Sequence, residues 1–168
     1  MAAQPILSDI NHEIHTVVVD STGPDFVVHL PTPLDNVIQA QLVSAVFTST
    51  DSAQTAIHIG IEELRTFFSQ RARTETQWNQ NLADDNHLNG VFGTVVGPHV
   101  SLTGASTATA VKVISFKNEY PISQYYHNPI RKLSRLTFNL DRENGDPAVM
   151  TASVLVFKFV CKNKNLGC

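Results

Sequence analysis

Apolar positions along this chain recur mainly at strand spacing. Residues 14–20 (IHTVVVD) and 26–30 (FVVHL) are short runs of β-branched and aromatic side chains, the types that suit a pleated, half-buried surface. Between them Ser21, Thr22, Gly23, Pro24 and Asp25 are turn chemistry, because Gly and Pro set backbone angles that strands do not use. Pro31 and Pro33 are expected to stop the second run. Residues 37–47 then resume, with Ile38, Ala40, Leu42 and Val46 on one side of the pleat and Gln39 and Gln41 on the other. Further strands read from 91–96, 108–116, 132–140 and 149–160, separated by Gly97-Pro98, by 118–129 and by the turn at 141–147 (DRENGDP). Asn144-Gly145 between β-rich runs is a hairpin signal, since both residues tolerate positive φ. In the last run Leu155, Phe157 and Phe159 take one face and Val154, Val156 and Val160 the other, so both faces ask for cover.

One segment changes period. Ile61, Leu64 and Phe68 recur at helical spacing, with Glu62, Glu63, Arg65 and Gln70 between them, which predicts a short amphipathic helix over 61–71 lying on a sheet. Residues 72–90 are polar and carry neither period, so they read as a long excursion over the surface. Trp78 within it reads either as an interface anchor or as a plug folded back over the core. About eight strands with turn breaks and one minor helix predict an all-β fold. The expected architecture is a single eight-stranded jelly-roll sandwich with one short helix and a long surface loop. It is one domain over 1–168, with an N-terminal arm at 1–13 and a C-terminal tail at 161–168.

Composition narrows the function more than the fold. The 168 residues are 42% apolar and 16% charged, enough for one sizeable core and too few for a two-domain enzyme. No run approaches ~18 consecutive apolar residues, and the N-terminus has no basic stretch followed by an apolar one, so neither a membrane span nor a secretory signal is expected. A net charge of −3 gives no whole-surface attraction to nucleic acid. Charge is uneven along the chain: residues 1–70 carry eight acids against Arg65 alone, whereas 111–168 carry nine bases and four acids. This asymmetry implies either complementary patches on different faces, suited to head-to-tail contact between copies, or two chain ends that lie side by side and cancel. With Cys161 and Cys168 as the two cysteines and no Asn-x-Ser/Thr sequon, a reducing compartment is the expectation.

The search for chemistry returns little. Seven histidines are scattered singly apart from His12 and His15, and no His-x-His gives the close pair that a strand-borne metal site uses. Gly-x-Ser-x-Gly, His-Glu-x-x-His and a Gly-rich phosphate loop ending in Lys-Ser/Thr do not occur. The pairs Glu62-Glu63 and Asp84-Asp85 read as solvated acids. Arg131 and Arg135 are expected to share a strand face with Lys132 opposite, and without aromatic interleaving they fit a polar edge or a subunit contact better than nucleic acid. Lys158, Lys162 and Lys164 read as solubilising charges or as contacts to an acidic neighbour. No catalytic residue, metal site or cofactor is expected, and the protein reads as not an enzyme.

Two blocks carry a resemblance. The first joins Asp20 and Ser21 to Phe26, Leu30, Pro31, Pro33, Leu34, Asn36 and Val37, followed by Leu42, Ser44 and Ala45. It resembles the opening of single jelly-roll capsid proteins, the penton and minor capsid proteins of large icosahedral double-stranded DNA viruses. The second runs from Pro129 through Lys132, Leu133, Leu136 and Phe138 to Asp141 and Gly145, and is similar to that group's segment before its last strand. Residues 61–68 sit where the family places a short helix. Thr22-Gly23-Pro24 departs from the basic residues that often follow Asp-Ser in the group, and 72–90 matches no pattern of it.

The resemblance implies a structural subunit of a virion, assembled in host cytoplasm, with copies of itself and the major capsid protein as partners and possibly minor capsid proteins too. Direct nucleic-acid contact and a membrane span are not expected. The vertex protein forming a homopentamer is favoured over a cement protein, because no long extension reaches across neighbouring capsomers. Five copies would associate head to tail through oppositely charged side faces, with Trp78, Arg131 and Arg135 weighted as contact residues. The alternative class is a jelly-roll carbohydrate- or ligand-binding module, for which Trp78, Tyr120, Tyr125 and Tyr126 are the candidate aromatic platforms.

Overall fold

The computed structural model describes residues 12–49, 54–66, 90–96, 99–102, 111–142 and 145–162. Seven strands run through them: β1 (His12–Ser21), β2 (Asp25–Ser49), β3 (Ala56–Ile61), β4 (Val91–Val96), β5 (His99–Leu102), β6 (Val111–Arg142) and β7 (Ala152–Lys162). Neighbours are antiparallel in the order β1-β7-β2-β6-β3-β4, with β5 joined to β6 beside that path. The fold is all-β. Among the described residues it has seven strands: β2 and β6 each merge two expected strands, while β3 and β5 are not among those expected.

The prolines expected to end strands lie inside them, at bulges. Proline has no N–H for a ladder, so a strand keeps it only where pairing is already broken. Pairing of β2 with β6 shifts register between His29 and Leu34, where the surplus residues on β2 include Pro31 and Pro33. On β6 the surplus between Lys117 and Ile122 holds Pro121, and that between Tyr125 and Ile130 holds Pro129. The segment 118–129, expected to be a loop, is therefore strand. Each surplus also bends and twists its strand. Asn36 sits in the bent part of β2 at φ 52, a left-handed conformation that Asn accepts more readily than most side chains.

The bulges divide the ladder into two parts. β1, β7, residues 37–48 of β2 and residues 112–125 of β6 form one. Residues 25–29 of β2, residues 135–142 of β6, β3 and β4 form the other. Their apolar faces share one core. Phe157 on β7 meets Phe92 on β4 edge-on at 5.7 Å and Phe138 on β6 at 5.8 Å. Phe26 stacks on Phe138 at 4.7 Å, and Phe159 lies 6.1 Å from Phe157. Ile57, Ile59 and Ile61 of β3 close the core with Leu136 and Leu140 of β6. Gly93 on β4 leaves the space that Ile122 of β6 fills, and a Cβ there would collide with Ile122 Cγ2.

Three expectations about faces and elements are corrected. Over residues 37–47 of β2 the buried residues are Val37, Gln39, Ala40, Leu42, Ala45 and Phe47, while Val46 points outward. Irregularities at Val37/Gln39 and Leu42/Ser44 shift the alternation, and a one-residue slip exchanges faces. In β7 one face is buried through Ser153, Leu155, Phe157 and Phe159; on the other Val154 is exposed and Val156 half-buried, and only Val160 is buried, so the second face is covered at one end alone. The helix expected over 61–71 is, where described, a 3-10 turn at Glu62–Leu64. Ile61 and Arg65 flank it with extended backbone, and Leu64 is buried beneath it. The Asn-Gly turn keeps its logic at Gly145, which has φ 87 and donates its N–H to the Arg142 carbonyl at 2.9 Å.

Candidate functional site

The two outward surfaces of this ladder differ in chemistry. On the part built from β1, β7 and β2, cross-strand register aligns Val18 with Val156 and Ser44, and Asp20 with Val154 and Val46. Residues directly opposite each other in a ladder share a face. Val18 is 62% exposed, Ile14 55%, Val154 43% and Val46 41%. These side chains stand together across three strands, unlike singly scattered surface apolar residues, and such clusters mark contact surfaces.

The other outward surface is mixed, with Val27 and Val96 exposed among polar side chains. Asp25 accepts a hydrogen bond from Asn139 Nδ2 at 3.1 Å, and His58 Nδ1 is 2.8 Å from Thr94 Oγ1. At its centre Glu63, from the 3-10 turn, reaches β6. Its Oε2 accepts from the Thr137 backbone N–H at 2.7 Å, and its Oε1 accepts from Thr137 Oγ1 at 2.9 Å and Arg135 Nε at 3.1 Å. Burial pushes the Glu63 carboxyl up, but the hydrogen bonds from Thr137, Glu63's own backbone and Arg135 outweigh it and hold the group below its ordinary value of 4.5. This carboxylate was expected to be solvated. Its partners are more than seventy residues away in sequence and adjacent in the ladder, so no local spacing announces them.

Beside Glu63 lies a cleft of about 310 Å³ bordered by Gly60, Glu62, Arg65, Asn139 and Asp141. A Cβ at Gly60 would come within 3.1 Å of the Asn139 carbonyl. Its lining charges are mixed, with Glu62 and Asp141 beside Arg65. Among the described residues no cluster of three or more His, Cys, Asp or Glu could hold a metal ion. Also among them, no helix is long and apolar enough to cross a membrane.

The residues singled out in sequence fall into distinct places. The two blocks of the resemblance are ladder neighbours: Phe26 pairs with Phe138, Val28 with Leu136, Leu34 with Leu133 and Val37 with Ile130. Leu34, Val37, Leu133 and Leu136 are buried, and Phe26 and Leu30 pack against the same core. Ser21 Oγ bonds both the N–H and the carbonyl of Gly23 at 3.2 Å and so fixes the β1–β2 turn. Asp20, Pro33 and Pro129 are exposed. Arg131 is exposed as well, whereas Arg135 is held by Glu63 within the chain. Trp78, Asp84, Asp85, His87, Lys164 and Cys168 lie outside the described residues, as do the arm up to residue 11, residues 67–71 of the expected helix and residues 72–89 of the excursion.

Among the described residues acidic strands lie beside basic ones: Asp35 pairs with Lys132, and β1, with Glu13 and Asp20, lies along β7, with Lys158 and Lys162. Cys161 is buried, and its thiol is pushed up to about 11 by burial and then by the charges of Glu13 and Asp35. No protein-family model matches the chain, and no curated protein matches it either.

Proposed function

We propose that this chain is a jelly-roll subunit of an icosahedral viral capsid, and within it the vertex protein that associates as a pentamer. The observation that carries the reading is the pairing of residues 25–37 with 130–139, the two segments on which the resemblance rests. Divided at their bulges, β2 and β6 contribute two segments each. With β1, β3, β4, β5 and β7 these make nine around a shared core, the four-residue β5 standing beside the eight that a jelly roll uses. Residues 126–129 of β6 and 30–33 of β2 are the surplus segments that lie between the two sides.

A shell subunit needs a rigid body and surfaces that neighbours can cover. The single core joining both parts supplies the first, and the outward aliphatic cluster around Val18, Val46 and Val154 supplies the second. Because acidic and basic strands interleave, contacts between copies rest on apolar burial more than on opposed charge. The role is structural, without catalysis or cofactor, with copies of the chain and the major capsid protein as partners. The protein is carried in the virion after assembly in host cytoplasm.

A jelly-roll module that binds carbohydrate is the second reading, and Tyr125 is the observation that favours it. Its ring is 66% exposed, whereas Tyr126 turns inward to donate its hydroxyl to the Leu64 carbonyl at 3.2 Å. Light scattering after gel filtration, across a concentration series at low and moderate salt, separates the two. A closed species near five times 18.5 kDa supports the vertex role, and apolar contacts predict that salt weakens it little. A trimer indicates another position in the shell. A strict monomer that binds glycans on an array supports the binding module and overturns the pentamer.

A further inference from the structure

The free edges of this ladder are unequal. β4, at one end of the strand order, has six residues. The part of β2 that leaves the β6 ladder between His29 and Leu34 carries Pro31 and Pro33, a common way of blunting an edge because those residues offer no N–H. β1, at the other end, has ten residues paired along their whole length with β7, and it contains no Pro, Gly or Lys. Half of its backbone N–H and C=O groups point away from β7, and among the described residues nothing pairs with them. The side chains flanking this open row on the outward face include Ile14 and Val18, both exposed. Along the edge runs a cleft of about 310 Å³, walled by residues 15–18 of β1 and, across it, by Leu30, Pro31 and Leu34.

We infer that this edge is joined by β1 of a second copy of the chain, antiparallel, about a twofold axis at Thr16. The register follows from the alternation of β1, whose residues 14, 16, 18 and 20 face outward while 15, 17 and 19 face inward. Pairing must keep outward residues opposite outward ones. Centred on Thr16, it sets Ile14 against Val18 of the second copy and His12 against Asp20 of the second copy, and twofold symmetry repeats both. Centred on Val17 it sets Ile14 against Asp20, and centred on His15 it sets Ile14 against Thr16, so both lose the Ile14–Val18 pair and the His12–Asp20 pair. In the favoured register the inward side chains His15 and Val17 of the added strand extend the wall of the cleft beside Leu30 and Leu34. The contact is isologous and cannot lie inside a head-to-tail ring. It therefore stands apart from the vertex reading, joining two free subunits or two rings.

The test is a cysteine at the axis. Residues opposite each other in an antiparallel pair have Cα atoms roughly 4.5–5.5 Å apart, within the ~4.4–6.8 Å that a disulfide spans. Thr16→Cys in a Cys168→Ser background is oxidised and run on a non-reducing gel, with Val27→Cys, on the other outward surface, as the off-register control; Cys161 is buried in both. The expected result is a covalent pair of 18.5 kDa chains for Thr16→Cys and a single chain for Val27→Cys. Val18→Lys, at an exposed site, is expected to abolish the covalent pair formed by Thr16→Cys with the far-ultraviolet circular dichroism unchanged. A Thr16→Cys protein that stays single-chain, or that cross-links no better than Val27→Cys, overturns the twofold contact. The native mass of the wild-type chain reads the pentamer independently, so the two proposals fail separately.

Discussion

Removing the negative charge of Glu63 while keeping its shape tests how the 3-10 turn is fastened to β6. In Glu63→Gln one amide oxygen can still accept from Thr137, but the amide nitrogen is a donor facing the Arg135 Nε donor, and the backbone N–H of Thr137 loses an ionised acceptor at 2.7 Å. The Arg135 side chain is 59% exposed, so its ion pair contributes little through solvent screening. The charged hydrogen bonds to Thr137 dominate, and their weakening is expected to lower stability by about 2 kcal/mol at pH 7. With a urea m-value of ~2 kcal/mol/M this is a midpoint shift of ~1 M. The sign with pH follows from the direction of the shift: Glu63 sits below its ordinary 4.5 in the folded chain. Its contribution is present above that value and is lost as pH falls through the folded pKa. Urea unfolding of wild type and Glu63→Gln in parallel, stepped from pH 7 to about pH 3, is therefore expected to show a gap that closes with acid. A gap below ~0.3 M at pH 7, or one that persists unchanged at pH 3, refutes the assignment.

Two further outcomes follow from packing. Gly93→Ala puts a methyl group into Ile122 and is expected to cost about 1–3 kcal/mol, seen as a drop of several degrees in the thermal midpoint by circular dichroism. Cys161, with its thiol raised to about 11, is expected to react with a thiol reagent at pH 8 at the rate of unfolding, and fast only in denaturant; stopped-flow absorbance measures both.

Strands dense in β-branched and aromatic residues were legible from sequence, and those regulated by register were not. β1 and β4 are recovered because such residues fill much of them. β3 was missed although Ile57, Ile59 and Ile61 alternate, since only six residues carry the pattern and the helix reading of 61–71 claimed the last of them. Prolines misled in proportion to their real preference: each is excluded from a ladder, yet the ladder can skip it, and that choice belongs to the partner strand. The outward aliphatic cluster is likewise a register property, because Val46 faces solvent only after two irregularities have shifted β2. Arg135 was recognisable as a charged strand residue, but its partner Glu63 lies on a different element and was assigned to solvent.

The paired length of β2 and β6 has a consequence for how the chain folds and varies. From Asp25↔Asn139 to Ser49↔Lys112 the two strands form one ribbon between segments far apart in sequence, so the transition state must close a long loop before these contacts reward it. Folding is accordingly expected to be slow for the size of the protein. Once that closure is made, however, its entropy grows only with the logarithm of the intervening chain, about 0.6 kcal/mol per doubling. Outside β3, β4 and β5, the stretch between Ser49 and Lys112 can thus lengthen or shorten while the ribbon that organises both sides of the core keeps its register.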